Sequence, residues 1–98
     1  EFNKRGGVGS ISVTANIAAK LCSDFQKSCA DNFKDSDNFD KVLQPLHSAM
    51  FIESNPSPVK YAASLLGMCD PDVRLPLVQV KEDTKKKIST ALKVAKLL

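Results

Sequence analysis

The stretch Gly6-Gly7-Val8-Gly9-Ser10-Ile11-Ser12-Val13-Thr14-Ala15-Asn16 constrains the fold of this chain most, because it reads as one glycine-framed β-strand running straight into a helix. Val8, Ser10, Ser12 and Thr14 alternate with Gly9, Ile11, Val13 and Ala15. One face is therefore small or hydroxylic and the other largely apolar, the pattern of a half-buried strand. No second convincing strand follows. A lone strand leaves its N–H and C=O groups unpaired along both edges, so the pattern calls for a larger sheet and for a fragment rather than a whole protein.

At 98 residues, with 43% hydrophobic and 26% charged positions, the chain has the length and composition of one small globular domain. It opens Glu1-Phe2-Asn3, without an initiator Met, a basic leader or a small-residue cleavage site. No apolar run approaches the ~18 residues that could span a membrane, and the reading is cytosolic. A formal net charge of +3, with the basic residues scattered, calls for neither nucleic acid nor anionic lipid. Cys22, Cys29 and Cys69 are odd in number and match no zinc, haem or thioredoxin-type spacing. They read as reduced, partly buried thiols.

Downstream of the strand, Asn16 is a suitable N-cap, and Ile17, Leu21, Phe25, Cys29 and Phe33 follow at intervals of four residues. The expected helix runs from Ile17 to Ala30. Asp31-Asn32-Phe33-Lys34-Asp35-Ser36-Asp37-Asn38 is rich in residues that compete for backbone hydrogen bonds and so punctuate it. A second helix, from Asp37 to Glu53, would bury Phe39, Val42, Leu43, Leu46, Met50 and Phe51 and bend at Pro45. Ser54-Asn55-Pro56-Ser57-Pro58 stops that helix and starts a third, with Ser57 as its cap and Pro58 at its first position. Val59, Ala62, Ala63 and Leu66 form its apolar side before Gly67 ends it. Asp70 to Val80 reads as an ordered connector. A fourth helix from Asp83 to Leu97 turns Ile88, Leu92 and Ala95 inward and its lysines elsewhere.

Few residues invite a chemical role, and each has a plainer one. Gly6-Gly7-Val8-Gly9-Ser10 lacks the Gly-Lys-Ser/Thr ending of a phosphate loop and precedes a strand instead of following one. Asp31, Asp35, Asp37 and Asp40 lack the glycine turn and closing glutamate of a calcium loop, which leaves turn and cap roles. His47, the only histidine, reads as a helix-surface or packing residue. Lys85-Lys86-Lys87 reads as a solvated face, and Glu53 and Lys60 as a cap or an ion pair. No metal site and no self-contained catalytic constellation emerges.

The strand, then Pro45-Leu46-His47, Phe51-Ile52-Glu53-Ser54-Asn55-Pro56-Ser57-Pro58-Val59-Lys60, Arg74-Leu75-Pro76-Leu77 and Leu97-Leu98, resemble in that order the C-terminal third of the dihydrodipicolinate synthase family. The likeness covers nearly all of the chain, with departures at Ser10, Ser54 and Lys96, where a larger aliphatic, proline and glycine are usual. The resemblance implies a fold that is mostly α with one β-strand, the closing part of a (β/α)₈ TIM barrel. Residues 1–33 would be its last strand and helix, and residues 34–98 the C-terminal helical domain.

It further implies a pyruvate-dependent class I aldolase reaction, in which pyruvate condenses with aspartate semialdehyde in lysine biosynthesis. A lysine on an earlier strand forms the Schiff base and a tyrosine relay moves protons. Both would lie upstream of Glu1, so no catalytic residue is expected within the chain and no cofactor is called for. One substrate contact is implied inside it, the backbone of Ile11 against pyruvate. The residues alone read Ile11 as barrel core. A homotetramer is implied, with no nucleic-acid or membrane partner. N-acetylneuraminate lyase and keto-deoxy-sugar aldolases, which share the barrel and the lysine, are the nearest alternatives, and a non-catalytic helical interaction module is the alternative of another class.

Overall fold

Four α-helices carry the regular structure of the computed structural model, which describes residues 1–98. They are α1 (Ala19–Ala30), α2 (Ser36–Ala49), α3 (Ser57–Leu65) and α4 (Glu82–Val94), with single 3₁₀ turns at Asn3–Arg5 and Thr14–Asn16.

The expected β-strand does not form, so the fold is helical and not mostly α with one strand. Residues 7–12 have no regular structure, and Val13 already takes right-handed helical angles before the Thr14–Asn16 turn. The reason is the absence of a partner. A strand is stabilised by its ladder, and no other segment of this chain supplies one. From Val8 to Ser12 no backbone N–H or C=O finds a backbone partner, and Val8 and Ile11 are fully exposed.

Helix boundaries follow local chemistry, with informative displacements. Because Thr14–Asn16 winds into a 3₁₀ turn, Asn16 does not cap α1; its side-chain amide donates to the Val13 carbonyl at 3.0 Å. The Thr14 carbonyl accepts from Ile17 and Ala18 instead, and α1 begins at Ala19 without a side-chain cap. Helix α2 passes through Pro45 and closes at Met50, short of Glu53. Pro45 lies on the exposed side, where water can satisfy the carbonyl its missing N–H leaves free. Ser57 is the buried first residue of α3, after Pro56 in the cap position.

Helices α3 and α4 end in the same hydrogen-bonded turn. At α3, Gly67 N–H donates to Ser64 and Met68 N–H to Ala63. At α4, Lys96 N–H donates to Lys93 and Leu97 N–H to Leu92. Both turns need a left-handed residue, with φ of 76° at Gly67 and 58° at Lys96. Glycine adopts that conformation freely, whereas a side chain makes it cost about 1–2 kcal/mol.

Helix α2 packs against both α1 and α4, and α4 also against α3. Leu43, Leu46 and Met50 of the α2 side meet a core that includes Ile88, Ala91 and Leu92 of α4, Ala62 of α3, and Ile17 and Ala18 before α1. The sequence places Leu43, Leu46, Met50, Ile88, Leu92 and Ala95 inside correctly. Phe51, expected inside, is 61% exposed because α2 has already ended.

Glu53 joins two elements that are distant in sequence. The Lys81 N–H, at the cap position of α4, donates to Glu53 Oε2 at 2.8 Å. A hydrogen bond from Thr84 and this one from Lys81 hold the Glu53 carboxyl below its ordinary value. A carboxylate there satisfies an orphan donor and opposes the positive end of the helix. Because the folded-state value is depressed, this stabilisation is complete above the ordinary glutamate value and is lost as pH falls through the folded one. Glu53→Ala is expected to lower the melting temperature at neutral pH, with a smaller gap between parent and variant at a pH below the ordinary glutamate value. Thermal melts at the two pH values check this, and an equal gap at both would contradict it.

Candidate functional site

The free segment Val8–Ser12 is the candidate site, because it contains Ile11 and its backbone donors and acceptors are unclaimed by the rest of the chain. Ile11 projects its side chain into solvent. Its main-chain groups are open, while the residues on either side face the helices. Ser10 and Ser12 line a cleft of about 240 Å³ together with Cys22, Gln26, Leu43 and His47.

The segment is secured at its downstream end. Ser12 Oγ accepts from the Ala15 N–H at 3.2 Å, and Thr14 Oγ1 and His47 Nδ1 share a hydrogen bond of 2.7 Å. Thr14 is 1% exposed, so its hydroxyl is taken out of water and needs that partner. At the upstream end, Asn3 Nδ2 donates to Gln26 Oε1 of α1 at 2.8 Å. A second cavity, of about 490 Å³, opens between residues 1–4, α1 and α2, and His47 borders it as well.

The Thr14–His47 pair was not legible in the sequence. His47 reads there as a packing or surface residue and Thr14 as a strand position, and nothing in a linear pattern connects residues 33 apart. Their only signal is that His47 is the sole histidine and lies on the face of α2 beside Leu43 and Leu46.

The other sequence candidates are dispersed. Asp35 occupies the left-handed position before α2, Asp37 lies in its first turn, and Asp40 accepts from Gln44 at 3.0 Å. No three His, Cys, Asp or Glu side chains converge as metal ligands would. Burial pushes the Cys22 thiol up, partly offset by a hydrogen bond with Ser12, so the neutral thiol is favoured there. Cys29 is half-buried and Cys69 exposed, and all three are free thiols. Within the lysine run, Lys85 pairs with Glu82 at 3.0 Å and lies 5.7 Å from the Tyr61 ring centre. Lys60 makes no ion pair with Glu53, whose carboxylate is engaged at α4.

This geometry is shared with known proteins. The 4-hydroxy-tetrahydrodipicolinate synthase of Pelagibacter ubique is 65% identical over 102 residues, which take in 100% of this chain and 35% of that protein. The enzyme of the same name from Zymomonas mobilis is 52% identical over 99 residues, covering 99% of the chain and 34% of its own length. The chain therefore spans about a third of the length of the curated relatives it matches. Among solved structures, dihydrodipicolinate synthase from Thermotoga maritima superposes with a TM-score of 0.90 at 38% identity, over 95% of this chain and 32% of that one. The chloride-inhibited dihydrodipicolinate synthase from Acinetobacter baumannii, complexed with pyruvate, gives 0.88 at 36% identity over 95% and 32%. The family model described as the dihydrodipicolinate synthetase family matches residues 1–95. With a family match over nearly the whole chain and relatives that superpose this closely, the chain belongs to the dihydrodipicolinate synthetase family.

Proposed function

We propose that this chain is the C-terminal portion of a 4-hydroxy-tetrahydrodipicolinate synthase, which condenses pyruvate with aspartate semialdehyde through a Schiff base in lysine biosynthesis. The observation that carries this reading is 65% identity to a protein of that name along the entire chain. In the intact synthase residues 1–33 form the closing part of the barrel with its helix, and residues 34–98 form the C-terminal helical domain. The lysine nucleophile and the tyrosine relay come from the rest of the enzyme. The protein works in the cytoplasm as a homo-oligomer, a tetramer.

Within this portion, Ile11 meets pyruvate through its backbone. Two observations support that role. The main-chain groups of residues 8–12 are unclaimed by the chain, and the Acinetobacter baumannii relative, similar over 95% of this chain, is a pyruvate complex. A main-chain contact orients a small keto acid without needing a particular side chain, provided that neighbouring residues fix the chain.

The test is the condensation of pyruvate with aspartate semialdehyde by the intact synthase carrying this chain, compared with Ile11→Val in the same enzyme. The parent turns over both substrates, and the variant keeps its KM for pyruvate within about twofold. No turnover by the parent would overturn the reaction. A rise in KM of about tenfold in the variant would overturn the backbone account.

A further inference from the structure

We draw no further inference here: the strongest candidate, the groove of about 390 Å³ between α2 and α4 that Ile52, Val94, Lys86 and Lys87 line, belongs to a chain about a third as long as its relatives, and nothing in the structure shows what covers that face in the intact enzyme.

Discussion

Leu46→Ala and Leu92→Ala are each expected to destabilise the chain by about 2–5 kcal/mol, the range for removing a large aliphatic side chain from a core that collapses only partly around the cavity. Both residues are 0% exposed, and they sit on α2 and α4, the two helices that bring the others together. Helix α1 packs on α2 and α3 on α4, so a cavity between α2 and α4 weakens a main connection between the two outer helices, which the Thr14–Asn16 turn also links. Against a total stability of about 5–15 kcal/mol for an ordinary domain, either change removes a large share. Only twelve buried apolar residues make up this core. Urea denaturation followed by circular dichroism measures the loss, with Val94→Ala as the control. Val94 is on α4 but 57% exposed, and its truncation is expected to cost less than about 0.5 kcal/mol. A loss below about 1 kcal/mol for Leu46→Ala and Leu92→Ala alike would contradict the packing of α2 on α4.

The helical part of this architecture is legible in the sequence because its signals are local. Apolar spacing places Leu43, Leu46 and Met50 together on one side of α2, and Ile88, Leu92 and Ala95 together along α4. Gly67 marks the end of α3 because only glycine takes a left-handed turn without penalty. The end of α4 is harder to see, since the same turn is made there by Lys96. The sequence pattern accordingly runs that helix to Leu97, three residues beyond Val94.

The strand fails for the opposite reason. Alternation between Val8 and Ala15 reports which side chains would suit a sheet, but a sheet also needs a partner, which is not a local property. With no neighbour to pair with, Thr14–Asn16 turns into a 3₁₀ turn and Ile11 is left in solvent. The same limit hides the couple between Thr14 and His47 and the cap that Glu53 supplies to Lys81 from 28 residues away. Each joins residues whose proximity depends on how α1, α2 and α4 pack. Ile11 is singled out by the family resemblance alone, since its residue type by itself reads as barrel core.

The proposed pyruvate contact of Ile11 belongs to a site whose nucleophile, on the same proposal, lies elsewhere in the enzyme. The measurement that tests it most directly is reductive trapping of the intact synthase with pyruvate and borohydride, followed by peptide mapping. In that chemistry a lysine amine attacks the keto carbon, water leaves, and hydride reduces the resulting imine to a stable secondary amine on the lysine. Such a lysine is normally activated by desolvation or by a cationic neighbour. Lys20 has the opposite surroundings, with a side chain 90% exposed and an ion pair to Asp24 at 3.2 Å. The account predicts one pyruvate adduct per enzyme chain, on a lysine outside residues 1–98, and no mass gain on any peptide within them. An adduct on Lys20, Lys60 or any other lysine of this segment would contradict it.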